Sequence, residues 1–382
     1  MENHIYLDNA ATTFIFDEIL SQMPDIFSKY YANPNSIYSD GQKSRKIIEE
    51  SRKNICDVVG CSFEEIVFTS CATESNNTIV RGVAETQSKK RKILISPIEH
   101  KSVLNPVKFL GKKGFKVEFL KVDKNGVVDI DDLKRKLDED VFLVCVIHGN
   151  NETGVVQDIE YIGKICKERQ ALFFSDVVQS FLKEEINLDF IDFFSVSGHK
   201  LNAPKGIGFF YKKREIDIEP LLYGGGQEKG LRSGTENTQF IKFISDAVYI
   251  WSKKHEKFYN HLLSLRDYFE ARLKEAIPDI HIVSENVKRL PHISCVIFPH
   301  IDAQTMILSL DSKGIAVSSG SACSSGTPEP SHVLLSYGYS KEEALRAVRF
   351  SFGIFNNFEE IDKTIEVIKN IYHNYMKFIY SF

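Results

Sequence analysis

The sequence has no two cysteines at Cys-x-x-Cys spacing. Its seven cysteines, Cys56, Cys61, Cys71, Cys145, Cys166, Cys295 and Cys323, are an odd number in a large chain. That excludes the disulfide framework of a small secreted domain and leaves no structural zinc set and no dithiol redox pair. No apolar run is long enough to span a bilayer, and the start, Met1-Glu2-Asn3-His4, lacks the basic residues and apolar core of a secretory signal. A cytoplasmic protein without membrane contact is therefore expected. Charge of either sign is not in large excess: a net charge of −4 argues against direct binding to nucleic acid or anionic lipid. The basic run Lys89-Lys90-Arg91-Lys92 reads as a solvated loop before the strand Ile93-Leu94-Ile95. There is no internal repeat, no low-complexity tract, no Walker A loop and no Gly-x-Gly-x-x-Gly after a strand, which removes the usual nucleotide-binding designs.

What is present is enough chain for two cores: 382 residues, 43% of them hydrophobic. Between about residues 60 and 212, short apolar runs alternate with longer amphipathic stretches. The runs are Ile66-Val67-Phe68, Ile93-Leu94-Ile95, Val117-Glu118-Phe119-Leu120, Val141–Ile147, Leu172-Phe173-Phe174, Ile191–Val196 and Ile207–Tyr211. Such alternation predicts an α/β fold with a mostly parallel, seven-stranded sheet, the last two runs being antiparallel because their link is short. Near residue 255 the pattern changes to a helix carrying Phe258, Leu262, Leu265, Phe269 and Leu273. It leads into a smaller α+β C-terminal domain with strands near Ile293–Phe298, Ile315–Val317 and Val348–Ser351 and a closing helix from Ile361 to Phe378. The expected division is an N-terminal arm, 1–15, packing with the small domain; a large domain, 16–255; and the small domain, 256–382.

Polar groups gather where the predicted strands end, which is where open parallel sheets bind ligands. Thr73 follows the first run, in the helix start Cys71-Ala72-Thr73-Glu74-Ser75-Asn76, whose free N–H groups suit a phosphate. Asn150-Asn151-Glu152 follows the fourth run, Asp176 and Gln179 the fifth, and Ser197-Gly198-His199-Lys200 the sixth. A lysine and an acid at strand ends are what a pyridoxal phosphate (PLP) site needs: the lysine for the Schiff base, the acid to keep the pyridinium nitrogen protonated. His100 follows the second run, after Ser96-Pro97-Ile98-Glu99; on position alone it is as readily structural as catalytic. A glycine-rich stretch, Gly224-Gly225-Gly226, precedes Arg232-Ser233-Gly234-Thr235 and reads as a donor-bearing loop. Cys323 differs from the other cysteines. It sits among small polar residues in Ser318-Ser319-Gly320-Ser321-Ala322-Cys323-Ser324-Ser325-Gly326, a segment unable to pack a core and expected to be a mobile exposed loop with a reactive thiol.

Taken in order, these strings resemble the cysteine desulfurases of the class V aminotransferase family, in particular the group with a Ser-Gly-Ser-Ala-Cys loop. The similarity runs from Tyr6-Leu7-Asp8-Asn9-Ala10-Ala11-Thr12-Thr13 and Ala32-Asn33-Pro34 to Arg349-Phe350-Ser351-Phe352-Gly353. It implies the type I fold of PLP-dependent transferases, a homodimer, and conversion of L-cysteine to L-alanine with a persulfide left on the enzyme. Lys200 would hold PLP, Asp176 the ring nitrogen and Gln179 the ring hydroxyl. His100 would stack on the ring and shuttle protons. Ala72, Thr73, Ser197 and His199 would hold the phosphate, joined by Thr235 from the partner subunit. Asn33, Asn151 and Arg349 would hold the substrate, Arg349 as a guanidinium fork on its carboxylate. Cys323 would be the sulfur-accepting nucleophile. The sulfur would pass to an acceptor protein, an iron–sulfur scaffold or a tRNA-thiolation enzyme. No metal is implied. Two departures fall near the cofactor: Cys71 where glycine is usual, and Val177 where a small alanine is common, on the face of the ring. Rival readings are a selenocysteine lyase, a non-catalytic persulfide carrier that kept the fold, and a cysteine hydrolase pairing Cys323 with a histidine such as His332.

Overall fold

The structure, a computed structural model, describes residues 4–87, 89–320 and 329–379. Cys323 and most of its loop lie outside the described residues.

Seven strands form the main sheet, in the order Ile66–Thr69, Gly208–Lys212, Phe193–Ser197, Leu172–Asp176, Val141–Cys145, Lys92–Ile95 and Lys116–Phe119. Only Gly208–Lys212 runs antiparallel to its neighbours, pairing with Ile66–Thr69 on one side and Phe193–Ser197 on the other. The double phenylalanines explain why helices must cover both faces. Neighbouring residues in a strand point to opposite sides. Phe173, Phe194 and Phe209 enter one apolar cluster, while Phe174, Phe193 and Phe210 enter another, and all six are buried. A strand buried on both faces reads as an unbroken apolar run rather than an alternation. Truncating any one of these rings to alanine would cost about 3–5 kcal/mol.

Most of the parallel strands are followed by a helix, Leu172–Asp176 being linked to Phe193–Ser197 through turns and the 3₁₀ turn Leu188–Phe190, and the strands' carboxyl ends lie on one side. The helix Ala72–Thr86 follows the first strand, and Lys101–Lys112 follows Lys92–Ile95. The basic run before that strand is not a simple solvated loop. Lys92 is buried, and its ammonium lies 2.8 Å from Asp138 and 3.3 Å from Glu118. Lys90 donates to the carbonyls of Val141 and Gln170. Beside the sheet, Arg52 and Glu228 form a buried pair, and Glu228 also accepts from the Phe68 amide at 2.8 Å. This ties the glycine-rich stretch to the edge strand; losing one partner of such a pair costs about 3–5 kcal/mol.

The helix predicted around Phe258–Leu273 is the second half of a 39-residue helix, Thr238–Ala276, whose backbone leaves helical geometry only at Lys254 (φ −113°, ψ 16°). The change of character seen near residue 255 coincides with this kink between two helical halves. Beyond it, an antiparallel sheet orders Ser318–Ser319, Ala347–Ser351, Ile293–Ile297 and His281–Ile282, closed by the helix Phe358–Ile379. The N-terminal arm joins this part: Ile5–Tyr6 pairs in parallel with Ile315–Ala316, and Asp8 bridges to Ser351. No helix among the described residues is long and apolar enough to cross a membrane.

Candidate active site

The open ends of the strands, the arm and the edge of the small sheet enclose a cavity of about 420 Å³. Its lining includes Ala72, Thr73, His100, Asn151, Asp176, Gln179, Ser197, His199, Lys200 and Arg349. Ten of the residues expected to act together are thus brought to one space by strands far apart in sequence.

Lys200 follows the strand Phe193–Ser197 on a single 3₁₀ turn. Its ammonium meets no carboxylate among the described residues; it donates to the carbonyls of Ala10 and Ala11 at 2.5 and 2.7 Å. Burial, aided by the positive Arg349, lowers its pKa to about 7, so a reactive neutral amine is accessible near neutrality. Asp176 ends the strand Leu172–Asp176 and is 4% exposed. One carboxylate oxygen accepts from Asn76 Nδ2 at 2.9 Å and the other from the Val178 amide at 3.0 Å. These two donors hold the carboxylate in place at the cavity wall. Gln179 donates to the Ala10 carbonyl at 2.8 Å.

His100 caps the helix Lys101–Lys112: its Nδ1 accepts from the Ser102 amide at 3.1 Å and lies 2.7 Å from the Ser102 hydroxyl. Nδ1 acting as acceptor leaves the proton on Nε2. The surrounding protein withdraws water and lowers the His100 pKa, while Asp176 pulls the other way. At one end of the cavity, Cys71, Ala72 and Thr73 open the 15-residue helix Ala72–Thr86, whose first N–H groups have no partner within the helix. Ser197 and His199 line the same cavity. His199 is held toward Thr12, with 3.2 Å between Nδ1 and Oγ1, and burial pushes its pKa down to about 4, so it is a neutral donor.

Arg349 projects from the middle of Ala347–Ser351 and is 6% exposed. It donates to the Asn151 carbonyl and to Asp8, both at 2.8 Å, while its buried Nε has no hydrogen-bond partner. A guanidinium has five N–H donors, so donors remain for an incoming carboxylate. Asp8 is a site residue that the sequence placed in a motif without giving it a task.

Three further residues had no assigned role. Glu99 lies beneath the cavity, accepts from the Ser96 hydroxyl and the Ile147 amide, and is pushed up to about 8 by burial, so it is neutral at pH 7. Glu152 accepts from Ser331, and a Cβ on Gly320 would overlap its carboxylate. Both stems of the segment that carries Cys323 therefore abut this one acid. Ser102 links His100 to Asn76, and through it to Asp176. The signal for all three was their adjacency to recognised strings, and nothing in the sequence separated them from structural polar residues.

Two expectations need correction or relocation. Val177 is fully buried in the core; the valine lining the cavity is Val178, because the turn after Asp176 points the second residue, not the first, toward the ligand space. Cys71 does line the cavity. Asn33 and Thr235 lie outside it, together in a separate groove with Tyr31. His332 also lines the cavity, but its Nε2 is engaged at 3.0 Å with the Glu99 carbonyl.

The layered α/β architecture, with a lysine and a buried acid at strand ends, defines a type I PLP-dependent transferase fold. The family model for class-V aminotransferases matches residues 5–364, and the chain belongs to that family. It is 38% identical to the cysteine desulfurase IscS of Dictyoglomus turgidum over 374 residues, covering 97% of this chain and 95% of the relative. Among solved structures, a NifS-like protein superposes with a TM-score of 0.91 at 37% identity, covering 97% of this chain and all of the other. A structure described as SspA in complex with cysteine superposes at 0.80 with 33% identity, covering 92% of this chain and all of the other.

Proposed function

We propose that this chain is a PLP-dependent cysteine desulfurase, which converts L-cysteine to L-alanine and leaves a persulfide on Cys323. One observation carries the reading: a buried lysine with a pKa near 7 and a buried, doubly hydrogen-bonded carboxylate line one cavity with a partly uncommitted arginine.

The residues present fit PLP. About 420 Å³ is in the range of small-ligand sites. Lys200 offers an amine for the aldehyde, Asp176 an acid for the pyridine nitrogen, Gln179 an amide N–H for the ring oxygen, and the Ala72 helix start with Thr73, Ser197 and His199 a cradle for the phosphate. Val178 and His100, which line the cavity, would flank the ring. When bound, the cofactor supplies an electron sink that acidifies the substrate's Cα–H.

The chain's own groups do the rest. Arg349 and Asn151 orient the substrate carboxylate. His100, with its proton on Nε2 and its other nitrogen tied to Ser102, moves protons at the cavity mouth. The Cys323 thiolate attacks the substrate sulfur. The Cβ–S bond breaks, its electron pair stays on Cβ, and a proton delivered there makes the methyl group of alanine. The new S–S bond is the persulfide, which passes to a sulfur-acceptor protein serving iron–sulfur clusters or tRNA thiolation.

The placement of Asn33 and Thr235 in a groove apart from the cavity supports a homodimer in which each would serve the partner's site. Ile37 (94% exposed), Tyr223 (73%) and Tyr31 (70%) lie in the same stretches and give that interface an apolar face. The six described cysteines are all free thiols, which suits a reducing cytoplasm.

The test is to load purified protein with PLP, reduce it with borohydride and locate the pyridoxyl group, then assay L-cysteine and L-selenocysteine side by side. A pyridoxyl group on Lys200 with alanine formed from L-cysteine supports the reading. A protein that takes up no PLP, or one that acts only on selenocysteine, ends it.

A further inference from the structure

Behind Lys200, on the side away from the cavity, lies a small chamber bounded by Lys183, His292, Trp251, Asn202 and Lys200 itself. The space for the centre of a water-sized sphere is about 10 Å³, close to the roughly 10–15 Å³ that one water needs. Two groups facing it are unusual. Lys183 is 4% exposed, and its ammonium has no hydrogen-bond partner among the described residues and lies 5.0 Å from the centre of the Trp251 ring. His292 is 3% exposed, and its Nδ1 has no partner either. Buried polar groups left unpaired cost about 1–3 kcal/mol each, so two at one chamber call for a common explanation.

The hydrogen bonds supply a direction. The Ala10 carbonyl can only accept, so the Gln179 nitrogen must face it. The Gln179 oxygen then faces His292 Nε2 at 3.2 Å, which requires the proton on Nε2. That tautomer leaves His292 Nδ1 as an unpaired acceptor in a residue lining the chamber, whose lining also holds the donor Lys183. Burial keeps both groups from carrying charge easily: His292 is driven well below its ordinary pKa and Lys183 down to about 7.

We propose that Lys183, a chamber water, His292 and Gln179 form a one-way donor relay that locks the Gln179 amide with its nitrogen toward the cavity. Lys183 and His292 are positioning residues. The relay guarantees that an N–H, and not a carbonyl oxygen, meets the anionic ring oxygen of PLP. A flipped amide would set two acceptors against each other. The inference rests on the reading of Gln179 as the partner of that ring oxygen.

The experiment titrates PLP into wild type, His292→Leu, His292→Asn, Lys183→Met and the double variant His292→Leu/Lys183→Met, reading the dissociation constant and the absorption maximum of the bound cofactor. His292→Leu should weaken PLP about tenfold, the size of one hydrogen bond to a charged group, and shift the absorption maximum. His292→Asn, whose amide still donates to Gln179, should keep both near wild type. Lys183→Met should move both quantities in the direction of His292→Leu, and the double variant should be no worse than His292→Leu alone. The relay is overturned if wild type binds PLP and the leucine variant keeps its absorption maximum and affinity, losing only melting temperature. It is also overturned if the two single effects multiply in the double variant. Should the leucine variant not fold, Lys183→Met decides: unchanged affinity and absorption overturn the relay. A wild type that binds no PLP overturns the underlying reading, and that outcome is distinct from every failure of the relay itself.

Discussion

On the floor of the cavity, Asp176 and Ser197 end five-residue strands buried on both faces of a seven-stranded sheet, whereas at its rim Ser318 and Ser319 form a two-residue strand at the edge of the small sheet, paired to Ala347–Ser351. The floor fixes positions by long ladders and crowded phenylalanines. The rim is anchored through single contacts, notably Glu152 against Gly320 and Ser331. The difference teaches that holding an aromatic ring and delivering a thiol place opposite demands on a scaffold. Precision comes from the sheet; reach comes from a stem with little sheet to hold it.

The comparison can be broken at either end. Lys200→Ala should cut alanine formation at least about a thousandfold, with no pyridoxyl group recovered by mass spectrometry after borohydride. Cys323→Ala should lose sulfide release to a similar degree while retaining the yellow colour; loss of colour in both variants would erase the separation of floor from rim. Arg349→Lys keeps the charge but loses the fork, and should raise KM for L-cysteine about ten- to a hundredfold with PLP affinity little changed. Gly320→Ala, which forces Glu152 aside, should lower kcat about tenfold, consistent with 1–3 kcal/mol of overpacking; an equal fall in PLP affinity would show that the rim also shapes the floor. The smallest effect is on pH. Because burial and Arg349 lower the Lys200 pKa to about 7, its neutral fraction grows as pH rises toward that value and then saturates. The rate of PLP uptake by apo-protein, followed by absorbance, should therefore rise from about pH 5.5 and level off above about pH 8, whereas an ordinary lysine would keep gaining to beyond pH 10.

Much of the floor was legible in the sequence because its causes are local. Apolar runs such as Leu172-Phe173-Phe174 mark strands, and the polar residues just after them mark the ligand side. All seven runs became strands of the main sheet, with the antiparallel pair where the short link required it. What was hidden depends on direction or distance. Val177 and Val178 are chemically identical, so only the turn geometry decides which faces the cavity. Asn33 and Thr235 belong to the right strings, yet the fold sets them in a groove of their own. Lys92 has the same charge as its neighbours in the basic run, and only tertiary packing places Asp138 and Glu118 around it. Lys183 and His292 fell in no string that suggested chemistry, since an orphaned buried amine is visible only once its surroundings are built.

The partners of the Lys200 amine in this structure are main-chain carbonyls, those of Ala10 and Ala11. Every residue type carries such an oxygen, so point substitution at either position leaves the docking place chemically intact. Genetic drift at positions 10 and 11 is thereby constrained by size and backbone shape alone. Insertions or deletions that shift the arm out of step with Ile315–Ala316 are the lesions to which this docking is vulnerable.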